Sequence, residues 1–257
     1  MMVASTRACS DMAADAQLLD VTDRVAMVSG ASRGIGEAIA RRLLDDGYRV
    51  SAGVRDVDAT RALFADAPAD RLLVERFDSA DPQTAAGWLD ATLDAFGALH
   101  ALVNNAGIWR QVNFETGSEE DLDAQWETNV KAPFRITRLA LPHLRACGTG
   151  RIVNVASTDG VRFRDNTCSI GYTMSKHALV AMTHAARQFG YEDGVRVTAL
   201  CPGAVDTELV AGVPGVTPLA GRLAPATVAH IVATLLALPN TASVAWMPVN
   251  TRLESTI

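Results

Sequence analysis

The sequence predicts a single doubly wound α/β domain, with one mostly parallel sheet and helices on both faces. Three observations predict it. Short apolar runs alternate with longer stretches of helical periodicity from about residue 23 to residue 249. A glycine-rich turn joins the first apolar run to the first helical one. No linker, repeat or low-complexity tract breaks the alternation, so it belongs to one domain, 23–257, preceded by a mobile N-terminal arm, 1–22.

The elements follow in order. Arg24–Ser29 reads as a short buried strand and Glu37–Asp46 as a helix ended by Gly47. Between them lies Gly30-Ala-Ser32-Arg33-Gly34-Ile35-Gly36. Strand, glycine turn and helix suit a dinucleotide pyrophosphate. The glycines admit the phosphates to the backbone, and the helix start offers N–H groups and a positive dipole end. Tyr48–Val54 is the second strand, and its end bears on the cofactor. An acidic side chain there would hold the adenosine ribose; a basic one would accept a 2′-phosphate. Val54 can do neither, whereas Arg55 and Arg33 can each meet a phosphate. The competing reading makes Arg55 a solvated loop charge and lets Asp56 bind the ribose.

Asp58–Asp66 reads as a short helix and Arg71–Phe77 as a third strand, followed by Asp78 and Ser79. Pro82–Phe96 is an amphipathic helix closed by Gly97, and Leu99–Val103 is a fourth strand. Asn104-Asn105-Ala106-Gly107 is too small and polar for a core segment, so its backbone is expected against a ligand. A helical region runs from Ser118 to about Cys147. Asn129 lies inside it, either interrupting the helix or serving as an ordinary surface residue. Gly150–Ala156 is a fifth strand ending at Ser157, and Thr158–Ile170 is a polar loop. A helix follows from Tyr172 to about Tyr191, then a strand Gly194–Cys201 closed by Pro202-Gly203. Ala204–Leu223, with Gly212, Pro214, Gly215, Pro218 and Gly221, has the length and composition of a lid. Pro225 starts a last helix to about Leu238, and Ser243–Val249 is a final strand.

Composition narrows the function classes. Of 257 residues, 23 are Lys or Arg and 29 are Asp or Glu, a net charge of −6. An acidic chain without a basic run argues against nucleic acid as partner. No segment is apolar and long enough to span a membrane, and Met1–Asp20 is not a signal peptide. Cys9, Cys147, Cys168 and Cys201 are widely spaced, which suits reduced thiols of a cytoplasmic protein and provides no metal site.

Chemistry is expected at Tyr172-Thr-Met-Ser-Lys176. Residues four apart share a helix face, so Tyr172 and Lys176 point the same way. A cation beside a phenol favours the phenolate and lowers its pKa, so the two could form an acid–base couple. Such a pair occurs by chance on many helices, and the reading therefore needs the other motifs.

Those motifs are Gly30-x-x-x-Gly34-x-Gly36, Asn104-Asn-Ala-Gly107, Asn129, Ser157, Tyr172-x-x-x-Lys176 and Pro202-Gly203. In this order and spacing, from about Asp23 to Val249, the chain resembles the short-chain dehydrogenase/reductase family, with its Rossmann-like fold. The resemblance implies an oxidoreductase that interconverts a carbonyl and a secondary alcohol by hydride transfer. NADP(H) is the preferred cofactor, with NAD(H) as the alternative. By position, Asn129, Ser157, Tyr172 and Lys176 match the family's catalytic tetrad. Gly30, Ser32, Arg33, Gly34, Ile35 and Gly36 match its pyrophosphate turn, and Arg55 would flank the 2′-phosphate. Asp78 and Ser79 would lie at the adenine, Asn104, Ala106 and Gly107 along the adenosine, and Pro202, Gly203, Val205 and Thr207 at the nicotinamide. Tyr172 would be the general acid and base, Ser157 would polarise the carbonyl, and Lys176 would hold the nicotinamide ribose. Asn129 would anchor a water that returns the proton.

Two departures from the family pattern stand out. Ser29 replaces the usual Thr before the first glycine, keeping the hydroxyl. The Ser157-to-Tyr172 stretch is about two residues longer than usual. The close of the chain looks more like the branch acting on 3-hydroxy acids. Three loops should wall the substrate pocket, offering Trp109 and Arg110, then Arg162, Phe163 and Arg164, then Glu208, Leu209 and Val210. An arginine among these suggests an acidic substrate such as a 3-oxo acid; the alternative is that they are solvated or pair with Asp159 and Asp165. Reduction of a 3-oxoacyl carrier protein and non-catalytic dinucleotide sensing are the competing functions. The resemblance also implies a homo-oligomer, dimer or tetramer, packed through the Asp123–Cys147 and Tyr172–Tyr191 helices.

Overall fold

The computed structural model describes residues 17–211, 213 and 215–251. Residues 1–16 of the expected arm, and Gly212 and Pro214 of the expected lid, lie outside the described residues. The last part of the arm is held to the body, because the Leu19 N–H donates to the Ala237 carbonyl at 2.8 Å.

Seven strands form one sheet: β1 (Val25–Ser29), β2 (Arg49–Val54), β3 (Leu72–Arg76), β4 (Ala101–Asn104), β5 (Arg151–Val155), β6 (Arg196–Pro202) and β7 (Trp246–Val249). Their order is β3-β2-β1-β4-β5-β6-β7, and every neighbouring pair is parallel. Parallel strands need crossovers, and the helices supply them: α1 (Gly34–Asp45), α2 (Val57–Leu63), α3 (Gln83–Phe96), α4 (Glu119–Trp126), α5 (Ala132–Ala146), α6 (Ile170–Gly190) and α7 (Pro225–Ala237). β1 and β5 are buried along their whole length, which explains the apolar run of β1, while the buried Arg151 and Asn154 of β5 are hydrogen-bonded, to the Leu238 carbonyl and to Thr183 Oγ1.

Apolar side chains fill both sides of the sheet. One cluster joins Ile39 and Leu43 of α1 to Val228, Val232 and Leu236 of α7 over Val28, Val50 and Val153. The other joins Trp88 and Leu89 of α3 to Ile136 and Leu144 of α5 over Met27, Leu102 and Ile152. Trp88 fixes α3 against β2: its indole N–H donates to Ser51 Oγ at 2.9 Å, and a side chain at Gly53 would come within 2.6 Å of the ring.

The strand order reverses between β1 and β4, and a doubly wound sheet opens a crevice at the carboxyl ends beside such a point. Behind it runs a buried polar chain. Asn104 Nδ2 donates to Asn154 Oδ1 at 2.8 Å and to Thr137 Oγ1 at 3.0 Å, and Asn154 Nδ2 donates to Thr183 Oγ1 at 2.8 Å. These bonds lock β4, β5, α5 and α6 in one register. They also correct an expectation. Asn104 is the last residue of β4, not the first of the loop, and its side chain turns into this buried network.

Candidate active site

The carboxyl ends of the strands open into a cleft of about 780 Å³, a volume in the range of small-molecule sites. One end is built by the β1–α1 turn. Gly30 and Gly34 have φ of 68° and 57°, where a side chain would be strained. Gly36 cannot be larger, since a Cβ there would lie 2.1 Å from the Gly30 carbonyl and 2.5 Å from Asn105 Nδ2. Helix α1 has no side-chain cap, and Gly34, Ile35 and Gly36 of its first turn line the cleft. Its leading N–H groups are thus directed at the cleft with no intrahelical acceptor. An uncapped helix start behind a glycine cradle fits a dinucleotide pyrophosphate.

The β4 loop is stitched to this turn through Ser29. Its buried hydroxyl accepts the N–H groups of Asn105 and Ala106, both at 3.0 Å. Asn105 Nδ2 returns a bond to the Ser29 carbonyl at 2.9 Å. Asn105, with Ala106 and Gly107, is therefore the residue that faces the cleft, in the place expected for Asn104.

At the adenosine end, Arg55, Asp78 and Ser79 line the cleft. Asp56 does not: its carboxylate caps α2, accepting the Ala59 N–H at 3.0 Å. Arg33 and Ser32 line the same end, and Arg33 forms an ion pair with Glu208 of the loop after β6.

The other half of the cleft holds Ser157, Tyr172 and Lys176. Ser157 follows β5 and caps a short 3₁₀ turn, Thr158–Gly160, its hydroxyl accepting the Asp159 N–H at 3.1 Å. That turn sits directly on α6, since a Cβ at Gly160 would meet the Lys176 carbonyl at 2.9 Å. α6 starts at a Ser169 cap, whose hydroxyl accepts the Tyr172 N–H at 3.2 Å and donates to the Arg110 carbonyl at 2.6 Å.

Asn129 is fully buried within one turn of π-helix, Glu127–Lys131, set between α4 and α5. The helix is thus interrupted at this residue, one of the two readings of its sequence. Its Oδ1 accepts the Ile108 N–H, and its Nδ2 donates to the Ile108 carbonyl, each at 2.9 Å. Nδ2 also donates to Ser175 Oγ at 3.0 Å. Gly107 leaves room for this convergence: a Cβ there would be 3.3 Å from Asn129 Oδ1 and 3.5 Å from Lys176 Nζ.

The electrostatics differ from the expectation. Lys176 Nζ lies 5.6 Å from the Tyr172 ring centroid but donates to the Val155 carbonyl at 2.9 Å. Burial brings its pKa down to about 8. Tyr172 is pushed above the ordinary phenol value, first by burial and then by the Asp159 carboxylate, with a hydrogen bond to Ser157 pulling the other way. Lowering by Lys176, expected from the spacing, does not govern this phenol. Loss of water around it is the largest cause of its shift.

Of the residues expected at the substrate, Trp109, Arg110, Arg162, Arg164 and Leu209 line the cleft; Phe163 does not and is 53% exposed. Arg164 Nε pairs with Asp165 at 3.0 Å, and Arg110 Nε lies 3.7 Å from Asp121. Pro202, Gly203, Val205 and Thr207 line the cleft from the β6 side. Sequence reasoning missed Asn105 and Ser175 as site residues, placed Glu208 in the pocket wall without foreseeing its pairing with Arg33, and weighed Asp159 only as a partner for an arginine.

The chain matches the short chain dehydrogenase family over residues 24–214. It belongs to that family. It is 41% identical over 188 residues to an agropine synthesis reductase of Rhizobium rhizogenes, a match covering 73% of this chain and 43% of that protein. The chain thus spans less than half the length of that relative. Among solved structures it resembles 3-ketoacyl-(acyl-carrier-protein) reductase from Brucella melitensis complexed with NADH, at 28% identity and a TM-score of 0.83. That likeness covers 90% of this chain and 98% of the other. An actinorhodin polyketide ketoreductase solved with NADPH is similar at 28% identity and a TM-score of 0.80, over 89% and 96% of the two chains.

Proposed function

We propose that the protein interconverts a carbonyl and a secondary alcohol by hydride transfer, with Tyr172 as general acid and base and NADP(H) as preferred cofactor. The observation that carries this reading is the meeting of Ser157, Tyr172 and Lys176 in one cleft with an uncapped, glycine-cradled helix start. A nicotinamide dinucleotide, when bound, supplies the hydride. The residues do the rest. Gly30, Gly34, Ile35 and Gly36 would hold the pyrophosphate, with Arg33 and Arg55 toward a 2′-phosphate. Asp78 and Ser79 would hold the adenine, and Pro202, Gly203, Val205 and Thr207 the nicotinamide. Ser157 donates a hydrogen bond to the carbonyl oxygen and stabilises the developing alkoxide. Tyr172, protonated at neutral pH as phenols are, would donate its proton to that oxygen. Lys176 would hold the nicotinamide ribose. Asn129 holds the Ile108 backbone and Ser175 in place beneath it.

The test is Tyr172→Phe. Turnover should fall by about two to four orders of magnitude, the usual worth of a general acid, while dinucleotide binding persists. Near-normal turnover would overturn the mechanism, and a wild type that binds dinucleotide but turns over no carbonyl or alcohol would favour a non-catalytic dinucleotide sensor instead.

For the substrate we propose a 3-oxo or 3-hydroxy acid, with reduction of a 3-oxoacyl carrier protein as the competing reading. Trp109, Arg110, Arg162, Arg164 and Leu209 supply the pocket wall. An acidic substrate must compete with Asp165 for Arg164 and with Asp121 for Arg110. Comparison of kcat/KM for a 3-oxo acid and its neutral ester, in wild type and Arg→Ala variants at 110, 162 and 164, decides the matter. Preference of the wild type for the ester would remove the acid hypothesis. We also read the protein as a cytoplasmic homo-oligomer, dimer or tetramer. Cys147, Cys168 and Cys201 are free thiols, and no described helix is long and apolar enough to cross a membrane.

A further inference from the structure

We propose that Glu208 is a specificity-determining residue for the cofactor's adenosine end, its carboxylate competing for Arg33 with a phosphate at the 2′-position. The inference rests on the cofactor reading above.

The geometry is a bridge across the cleft. Arg33 closes the glycine turn and precedes α1, with an extended backbone at φ −168°. Its guanidinium reaches over to Glu208, the first residue of a short 3₁₀ turn, Glu208–Val210, in the loop after β6. The preceding residue braces the same crossing: a Cβ on Gly34 would meet Thr207 Cγ2 at 3.2 Å. Arg33, Gly34, Thr207 and Glu208 all line the cleft, as does Arg55. Among the described residues neither Arg33 nor Glu208 forms a second ion pair.

Charge then decides what the bridge does to a cofactor. A 2′-phosphate drawn to Arg33 meets a carboxylate already there, so the guanidinium must exchange one anion for another. A cofactor with a bare 2′-hydroxyl makes no such demand and leaves the bridge intact. The side chains of Arg33 and Glu208 are 63% and 73% exposed, so the pair is worth only what a solvated ion pair is worth. Glu208 therefore tunes the preference; it does not set it alone.

The experiment measures equilibrium binding of NADPH and of NADH, by quenching of tryptophan fluorescence, in wild type, Glu208→Gln, Arg33→Ala and the double variant. Glutamine keeps the size and hydrogen bonding of the side chain and removes its charge. Glu208→Gln should tighten NADPH by about two- to five-fold, the range of an exposed ion pair, and leave NADH unchanged. In the Arg33→Ala background the same substitution should bring no gain, because the competition runs through Arg33. The gain should also shrink at high salt. An unchanged NADPH-to-NADH ratio overturns the inference. Equal weakening of both cofactors also overturns it, making the bridge a latch that holds the loop closed. A gain that persists without Arg33 overturns it in favour of direct repulsion. Wild type that binds neither dinucleotide overturns the cofactor reading itself.

Discussion

Replacing Lys176 with Met should show that the candidate site lowers stability in a pH-dependent way. The ammonium is buried, and its pKa falls from 10.5 to about 8. That gap corresponds to a cost of about 3 kcal/mol at neutral pH. Because the folded value lies below the unfolded one, the unfolded chain binds more protons between them, so this cost is relieved as pH rises from 8 toward 10.5. Between about pH 7 and about pH 9.5 the wild type should recover roughly 2 kcal/mol relative to Lys176→Met. The variant also leaves the Val155 carbonyl without its donor, but that loss is independent of pH and cancels in the comparison. The phenol of Tyr172 is common to both proteins. The assay is urea unfolding of wild type and variant at the two pH values. A stability difference that stays constant between them would refute the argument, and one that moves the opposite way would show Lys176 to be stabilised by its surroundings.

Three further outcomes are expected. Ser29→Ala leaves the amides of Asn105 and Ala106 without their acceptor, so it should cost roughly 2–4 kcal/mol and lower Tm by roughly 5–15 °C; a shift within a degree of zero would contradict the stitching role. Asp159→Asn removes a charge that raises the Tyr172 pKa, so the rising limb of alcohol oxidation, which needs the phenolate, should move to lower pH; a limb that stays put or moves up counts against it. Phe134 and Phe189 are 54% and 67% exposed on α5 and α6, so light scattering should give a multiple of the 27.2 kDa chain mass, and a single-chain mass at micromolar concentration would rule out assembly through these helices.

The strand and helix order was legible because parallel strands buried on both faces read as apolar runs, and crossover helices as amphipathic ones. Glycine spacing was legible for a steric reason, as the Cβ positions at Gly30 and Gly36 show. The error at Asn104 was a matter of one residue. Side chains alternate between faces along a strand, so placing the end of β4 one position early exchanged Asn104 with Asn105. The π turn around Asn129 left no signal beyond a polar residue inside a helical pattern. Phe163 lay in a lengthened loop whose path no periodicity defines. For Tyr172, spacing gives proximity to Lys176 but says nothing about the solvent that the phenol loses on burial. Glu208 was legible as a residue of the loop after β6, but its pairing with Arg33 was not, because the two are 175 residues apart in sequence.

The π turn at Glu127–Lys131 also constrains how this region can change in length. A π turn contains one residue more than the α-helix on either side of it. Removing one, Thr128 for instance, would take away the residue that makes the π turn and set α4 and α5 in one α-helical register, with Pro133 and Pro142 still giving no N–H to it. It would also rotate one part of the helix against the other by about 100°. α4 or Asn129 would then leave its present seat, and the Ile108 backbone would lose both of its bonds to the Asn129 amide. The longer sequence keeps Pro133 in the first turn of α5, where a missing N–H costs least, and keeps the Asn129 amide fixed beneath the cleft.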